Sequence, residues 1–246
     1  MALVTGGAKR VGRAVALRLA ECGMDVAITY RSSSDAAAEV VNEIRAMGRQ
    51  AVAIRADLEQ RDVGEQVYKQ FERHFDRLDA LINNAAIFWP CRLWQVDADD
   101  YDRFQAVNAR GPLLLMRAFA SMLADNWDED DPATTGRVVN FVDIHVMGEP
   151  MPGYIAYSAS KAALLEITTS AAVELAPRVT VNAIAPGVVA WAEEFDEKQR
   201  QQYLARVPLG RAGTPADAAE AVRFLVCDAH YCTGQVIRID GGRLLK

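Results

Sequence analysis

Cysteine and histidine are scarce in this chain, and neither forms the spacing of a metal site. The 246 residues include four cysteines and three histidines, and the two sets do not cluster together. The cysteines, which lie far apart or in no metal-ligand spacing, are Cys22, Cys91, Cys227 and Cys232. Isolated thiols of this kind are typical of proteins from a reducing compartment. The sequence therefore predicts a cytoplasmic protein without a structural metal.

Long apolar runs and an excess of positive charge are also missing. No stretch approaches the ~18 consecutive apolar residues that a membrane-spanning helix requires. The net charge of −6 at pH 7 argues against nucleic acid or an anionic membrane surface as a partner. Hydrophobic residues make up 51% of the chain, as in ordinary globular proteins. We therefore expect a small-molecule ligand, no nucleic acid and no membrane.

Strand-like and helix-like segments alternate along the chain. The strand-like segments lie at 2–5, 25–30, 50–56, 78–83, 137–142, 179–184 and 235–240, and the helix-like ones at 13–22, 35–47, 61–75, 98–124, 154–176 and 216–226. This rhythm predicts a parallel sheet with right-handed crossovers. No repeat or low-complexity linker divides the chain. We predict a single α/β domain over residues 1–246, a doubly wound parallel sheet with helices on both faces.

A glycine-rich turn, TGGAKRVG at 5–12, follows the first strand. Glycines between a strand and a helix let backbone N–H groups and the helix N-terminus approach a phosphate. A single glycine-rich loop is weak evidence, and the usual G-x-G-x-x-G spacing is absent here. Its place between the first strand and the first helix is nevertheless the one a dinucleotide fold requires. The sequence predicts a cofactor-phosphate site at Thr5, Gly6, Arg10, Val11 and Gly12.

The end of the second strand indicates which nicotinamide cofactor binds. An acidic residue at this place holds the ribose 2′-hydroxyl of NAD, whereas an arginine accommodates the 2′-phosphate of NADP. Here Tyr30, Arg31 and Ser32 occupy the position, and no carboxylate precedes Asp35. A guanidinium with flanking hydroxyls suits a phosphate. The sequence therefore predicts NADPH or its oxidised form NADP as cofactor.

Tyr157 and Lys161 lie near the start of the apolar helix predicted at 154–176. Residues four apart in a helix lie one turn apart on the same face. A free tyrosine titrates near ~10, and a neighbouring cation lowers that pKa. A Tyr…Lys pair alone is a common surface contact, but a tyrosine with a lowered pKa suits general acid catalysis. We predict Tyr157 as the proton donor and Lys161 as the residue that lowers its pKa.

Together these features resemble the short-chain dehydrogenase/reductase family along the whole chain. Two further elements of that family are matched in this chain: Asp57-Leu58 after the third strand, and Asn83-Asn84-Ala85 after the fourth. The resemblance implies that Asp57 and Leu58 bind the adenine edge of the cofactor. It also implies that Asn83, Asn84 and Ala85 line the cofactor ribose and steady the sheet.

The same resemblance assigns residues close to the reaction. It implies that Asn108 holds a water that reconnects Tyr157 to solvent. Lys161 is implied to bind the hydroxyls of the nicotinamide ribose as well as to act on Tyr157. The turn at Pro186 and Gly187 is implied to lie beside the nicotinamide amide.

Three departures from the family pattern indicate a subfamily. Arg10 stands where the family has a glycine, Asp143 stands at the position of its catalytic serine, and Phe88 follows the asparagine element. Pteridine reductases show the same three features. The resemblance implies that Arg10, Phe88, Asp143 and Tyr157 contact the substrate. In this arrangement Phe88 stacks on a flat pterin ring and Asp143 orients Tyr157 or helps to protonate the pterin.

Two of these assignments have plainer alternatives. Asp143 lies fourteen residues before Tyr157, one more than is usual in the family. We attribute the extra residue to the loop at 144–153, because loops absorb length changes more readily than strands. Asp143 otherwise serves as a turn or cap residue, and Phe88 otherwise packs in the core. His145 and Trp191 are further candidates to line the pocket.

The predicted function is an NADPH-dependent reductase that transfers a hydride to a C=N or C=O carbon, with a dihydropterin- or dihydrofolate-like substrate favoured. The alternative on the same scaffold is a 3-oxoacyl-carrier-protein reductase or a general carbonyl reductase. An alternative of another class is a non-catalytic NADP-binding regulator, against which Tyr157, Lys161 and Asn108 argue. The resemblance also implies a substrate loop at about 188–208. It further implies a homotetramer built through the helices at 98–124 and 154–176.

Overall fold

Seven parallel strands form one sheet in the computed structural model, which describes residues 1–191 and 196–245. The strands are Ala2–Val4 (β1), Val26–Tyr30 (β2), Ala51–Arg55 (β3), Ala80–Asn83 (β4), Gly136–Phe141 (β5), Val179–Pro186 (β6) and Val236–Ile239 (β7). Their order in the sheet is β3-β2-β1-β4-β5-β6-β7. Strands are therefore added in one direction from β1 to β3 and in the other from β4 to β7, so the strand order switches between β1 and β4. Open α/β sheets bind ligands at the carboxyl ends of the strands beside such a switch point. The predicted doubly wound sheet is confirmed.

Helices cover both faces of this sheet. They are Arg10–Glu21 (α1), Ser34–Ala46 (α2), Val63–Phe71 (α3), Ala98–Gln105 (α4), Gly111–Ala124 (α5), Ile155–Glu174 (α6), Glu197–Leu204 (α7) and Pro215–Cys227 (α8). The single helix expected at 98–124 is instead α4 and α5 joined by a π-helical turn, Ala106–Arg110. The sequence reasoning missed α7, because it is short and polar and buries none of its residues. No described helix has both the length and the apolar character to cross a bilayer.

Side-chain alternation divides the core into two layers. Val4 and Ile28 point to the face that α1, α2 and α8 cover, while Leu3 and Ala27 point to the opposite face. Successive strand residues point to opposite faces, so each buried strand supplies both layers. Such strands read as continuous apolar runs, which is why the sequence revealed their positions.

A buried polar ladder holds α6 against the sheet. Asn83 Nδ2 donates to Asn140 Oδ1 over 2.8 Å, which joins β4 to β5. Asn140 Nδ2 donates in turn to Thr168 Oγ1 over 2.9 Å, and Thr168 donates to the carbonyl of Leu164 within α6. Polar groups at this depth are stable only when they are hydrogen-bonded. The ladder thus positions the helix that carries Tyr157 relative to the end of β5.

Candidate functional site

An elongated groove runs along the carboxyl edge of the sheet. Its larger part is a cavity of about 680 Å³ near the ends of β1, β4, β5 and β6. Its smaller part, of about 190 Å³, lies at the ends of β2 and β3. Gly6, Ala85 and Ala86 line both parts, so the two cavities adjoin each other. A groove of this shape suits an extended dinucleotide with a second molecule at its wider end.

The glycine-rich turn builds the centre of the groove. Thr5 Oγ1 accepts the backbone N–H groups of Asn84 and Ala85 over 3.0 Å each, which joins the turn to the end of β4. Gly6 has a φ of 64°, in the region that favours glycine. A Cβ at Gly12 would lie 2.2 Å from the carbonyl oxygen of Gly6. The turn therefore requires glycine at both positions and leaves a cradle at the N-terminus of α1 that fits a pyrophosphate.

The smaller cavity brings together residues predicted to bind the adenosine half of a dinucleotide. Tyr30, Arg31, Asp57 and Leu58 all line it. The Arg31 side chain is about half exposed at the rim, with Nη1 3.7 Å from a carboxylate oxygen of Glu59. This position leaves the guanidinium able to meet a phosphate that enters from solvent.

Four predicted cofactor residues, Thr5, Ser32, Asn83 and Lys161, do not line either cavity. Asn83 is almost completely buried and donates to Asn140 between β4 and β5. Asn83 therefore steadies the sheet, which is one of its two predicted roles, and its side chain lies away from both cavities. Neighbouring strand residues point to opposite sides, so Asn84 lines the cavity and Asn83 does not. Ser32 is exposed and lies outside both cavities.

Tyr157 and Lys161 lie one turn apart on α6, and both are buried. The Tyr157 hydroxyl donates to Asp143 Oδ2 over 2.8 Å. Asp143 Oδ1 accepts the backbone N–H of His145 over 2.8 Å, at the start of the short 3₁₀ turn Ile144–Val146. Asp143 is therefore in contact with Tyr157 despite the extra residue, and it is also the cap of a turn. That the loop at 144–153 carries the additional residue stays a prediction.

The expected lowering of the Tyr157 pKa is absent from this arrangement. Burial raises the pKa of Tyr157 well above its usual 10, and the charge and hydrogen bond of Asp143 raise it further. Burial lowers the pKa of Lys161 from 10.5 to about 8, against the attraction of Asp143. The Lys161 ammonium donates to the carbonyl of Phe141 over 2.6 Å. The prediction that Lys161 lowers the pKa of Tyr157 was wrong for the free protein, because Lys161 is not among the groups that shift it and its ammonium is engaged with Phe141. Tyr157 is accordingly protonated at neutral pH, the form required to donate a proton.

Asn108 lies on the π-helical turn between α4 and α5 and is fully buried. Its Oδ1 accepts the N–H of Ile87 over 2.9 Å, and its Nδ2 donates to the Ile87 carbonyl and to Ser160 Oγ. The two N–H donors of the amide are thus engaged within the protein. Asn108 joins the segment after β4 to α6, and its predicted water-holding role stays a prediction.

The predicted substrate residues meet in the larger cavity. Phe88 is 41% exposed, stacks on Tyr154 at 4.7 Å between ring centroids and lies nearly perpendicular to the Tyr157 ring at 4.8 Å. Phe88 therefore presents an accessible ring in the wall of the cavity and is not simply packed in the core. Arg10 has a φ of 51°, and its Nη2 donates to the carbonyls of residues 190 and 191. Arg10 thereby ties the glycine-rich turn to the segment after β6.

Several lining residues were missed by sequence reasoning. The larger cavity is lined by the expected Pro186, Gly187, Val11, Gly12, His145 and Trp191, and by the unexpected Glu149 and Arg243. Tyr203 and Arg206 also line it; they lie in the predicted substrate loop, although neither was singled out. Tyr203 belongs to α7 and accepts the N–H of Val188 over 2.8 Å. Of the substrate loop predicted at 188–208, residues 192–195 lie outside the described ranges. The missed residues come from short or irregular segments, whose place in the fold no periodic pattern reveals.

Comparison with known proteins gives matches over nearly the whole chain. A family profile described as enoyl-(acyl carrier protein) reductase matches residues 6–243. The 3-oxoacyl-[acyl-carrier-protein] reductase of Synechocystis sp. is 36% identical, over 100% of this chain and 97% of that protein. The 3-oxoacyl-[acyl-carrier-protein] reductase FabG of Staphylococcus aureus (strain N315) is also 36% identical, over 98% and 96%.

Two similar solved structures carry a nicotinamide cofactor. A short chain dehydrogenase from Burkholderia cenocepacia J2315 in complex with NADP has a TM-score of 0.90 and 34% identity, over 99% of this chain and 97% of that one. A blue fluorescent protein from a metagenomic library in complex with NADPH has a TM-score of 0.88 and 34% identity, over 98% and 96%.

Lys161 should make the free energy of unfolding depend on pH. The folded protein releases the Lys161 proton near pH 8, whereas the unfolded chain holds it to about 10.4. Between these values the unfolded state binds more protons, so stability rises with pH. We expect wild type to gain about 2 kcal/mol relative to Lys161→Met between pH 8 and 10, measured by urea unfolding. Lys198→Met, at an exposed lysine of α7, should show no such gain. Parallel stability curves for wild type and Lys161→Met would contradict the buried, shifted ammonium.

Proposed function

This chain belongs to the short-chain dehydrogenase/reductase family, and we propose that it is an NADP-dependent reductase acting on a substrate bound between Phe88, Asp143 and Tyr157. Solved relatives are complexes with NADP and NADPH, and the cofactor predicted from Arg31 agrees with them. The glycine cradle suits the pyrophosphate, and Arg31 at the rim suits the 2′-phosphate. NADPH, when bound, supplies the hydride.

The side chains around Tyr157 supply the proton. Tyr157 is protonated and donates to the substrate heteroatom as negative charge develops there. Lys161, one helical turn away, donates to the Phe141 carbonyl at the end of β5 and so fixes this turn of α6 against the sheet. Asp143 holds the hydroxyl in position until the transfer. The hydrogen bonds of Asn108 to Ile87 and Ser160 keep the cavity wall and α6 in register.

For the substrate we propose a dihydropterin-like heteroaromatic C=N compound, and the carboxylate of Asp143 carries this choice. An ionised carboxylate only accepts hydrogen bonds. A pterin ring presents amino and ring N–H donors, whereas the β-keto group of an acyl thioester presents only acceptors. A carboxylate in the cavity wall therefore favours the pterin. The accessible Phe88 ring adds an apolar surface on which a flat ring can stack.

A second candidate substrate is a 3-oxoacyl thioester, and the relatives favour it. The Synechocystis and Staphylococcus aureus relatives are both named 3-oxoacyl-[acyl-carrier-protein] reductases, and neither is named a pteridine reductase. The comparisons therefore support the thioester better than the pterin. Exposed Lys9, Arg10 and Arg206 also line the larger cavity, and a basic mouth suits an acidic carrier. We rank the pterin first because substrate choice resides in the site rather than in the shared fold. The homotetramer stays a prediction.

NADPH oxidation with matched substrates tests the choice. We expect purified protein to reduce dihydrobiopterin or dihydrofolate and to leave acetoacetyl thioester unchanged. Asp143→Ser removes the charged acceptor and should lower kcat/KM for the pterin by about 100-fold, the size of a lost hydrogen bond to a charged group. Turnover of the thioester alone, increased by Asp143→Ser, would replace the pterin with the 3-oxoacyl substrate.

Tyr157→Phe tests the proton donor. The variant keeps the ring but lacks the hydroxyl, so we expect kcat to fall by about 10²- to 10⁴-fold. The dissociation constant of NADPH, measured by fluorescence titration, should change by less than about twofold, because the hydroxyl bonds to Asp143 in the substrate cavity. Tyr101→Phe, at an exposed tyrosine of α4, is the matched control. A near-normal kcat in Tyr157→Phe would exclude this residue as the donor.

Arg31→Gln tests the 2′-phosphate contact. Loss of the guanidinium should raise the dissociation constant of NADPH by about 10- to 100-fold and leave that of NADH nearly unchanged, since only NADPH carries the phosphate. Arg103→Gln is the control, because Arg103 pairs with the same Glu59 carboxylate at 3.1 Å but does not line the smaller cavity. Equal effects on NADPH and NADH would contradict the assignment.

A further inference from the structure

One carboxylate joins two arginines in the wall of the larger cavity. Glu149 Oε1 lies 2.5 Å from Arg206 Nη2, and Oε2 lies 2.6 Å from Arg243 Nη1. The three residues come from separate segments: the loop after β5, the turn after α7 and the 3₁₀ turn Arg243–Leu245. All three line the cavity, and none takes part in the proton transfer described above.

The cluster is in contact with both walls of the cavity. Arg243 is 4% exposed, and its guanidinium lies 5.5 Å above the ring of Tyr203. On the other side, the backbone carbonyl of Glu149 lies 2.9 Å from the ring nitrogen Nδ1 of His145. The backbone N–H of His145 donates in turn to the Asp143 carboxylate. The two guanidinium groups are therefore held at the cavity surface and cannot turn away freely.

Glu149 sets the charge of this wall. Asp143 and Glu149 are the acidic side chains among the described lining residues. The basic ones in the same set are Lys9, Arg10, Arg206 and Arg243. Without the Glu149 charge, two guanidinium groups would face the cavity with donors that match a carboxylate or phosphate. The two arginines also lower the pKa of Glu149, so its carboxylate is charged at neutral pH.

We propose that Glu149 is a specificity-determining residue: by occupying Arg206 and Arg243 it weakens the binding of an anionic substrate group at this wall and so lowers the selectivity of the cavity for anionic over neutral substrates. The inference rests on the proposed function only in taking the larger cavity as the place where substrate binds. It does not depend on whether the reduced bond is C=N or C=O, because it concerns charge away from that bond.

The test compares substrates that share the reducible group and differ in charge. Dihydrofolate, with its anionic glutamate tail, is compared with dihydrobiopterin, and acetoacetyl-CoA with the uncharged N-acetylcysteamine thioester. In Glu149→Gln we expect the anionic-to-neutral ratio of kcat/KM to rise about tenfold, the effect of one unit charge at about 10 Å in a partly solvated site. Arg206→Gln removes a positive charge instead and should lower the same ratio.

Glu220→Gln is the matched control. Glu220 also lies between two arginines, 2.5 Å from Arg18 and 3.0 Å from Arg223, but it does not line the cavity. The anionic-to-neutral ratio of kcat/KM in Glu220→Gln should equal that of wild type. An unchanged ratio in Glu149→Gln, or an equal loss on both members of a pair, would overturn the proposal and leave Glu149 a structural ion pair.

A second variant and a binding measurement complete the test. If Glu149→Gln does not fold, the half-exposed Arg206 still carries the test, and a ratio that does not fall in Arg206→Gln overturns the proposal. If wild type reduces neither pair, the proposed function fails by itself. The charge preference is then measured from dissociation constants of the same compounds by calorimetry with NADP present, with the same outcomes for and against.

Discussion

The hydrogen bond from the Tyr157 hydroxyl to the Asp143 carboxylate is the interaction on which the site depends. It joins the start of α6 to the segment that follows β5, with the phenol buried and the carboxylate partly exposed to the cavity. Its geometry rests on the ladder from Asn140 to Thr168, which holds the same helix to the same strand farther along. The bond also sets the chemistry, because a phenol beside a carboxylate keeps its proton until a substrate removes it.

The two ends of the groove are built on different principles. The cofactor end uses backbone: glycines at 6 and 12 allow a close approach that any side chain would block. The substrate end uses side chains from irregular segments, tied together by Arg10, Tyr203 and Glu149. Sites positioned by a rigid scaffold but carried on loops are a common way to vary specificity within one fold. This division explains how relatives that share the fold and cofactor site can differ in substrate.

Errors of the sequence reasoning have a common physical origin. Asn83 was assigned to the cofactor although its side chain bonds within the sheet, because the direction of a side chain at a strand end depends on the pleat. The π-helical turn at Asn108 was read as continuous helix, since periodicity is insensitive to one added residue per turn. Lys161 was expected to lower the pKa of Tyr157, although burial and Asp143 raise it. The errors at Asn83 and Lys161 concern which group a side chain meets, and the one at Asn108 concerns the local winding of a helix.

The sequence by itself determined the parallel sheet, the glycine cradle, the arginine at the end of β2 and the Tyr157–Lys161 helix. These features depend on local periods, on residues tolerated at tight turns and on spacing within one helix, all of which are readable along the chain. Only the tertiary structure decided that Asp143 reaches Tyr157 and that Glu149 joins Arg206 to Arg243. These contacts join residues distant in sequence through loops, and the packing of the whole sheet and its helices sets their distances.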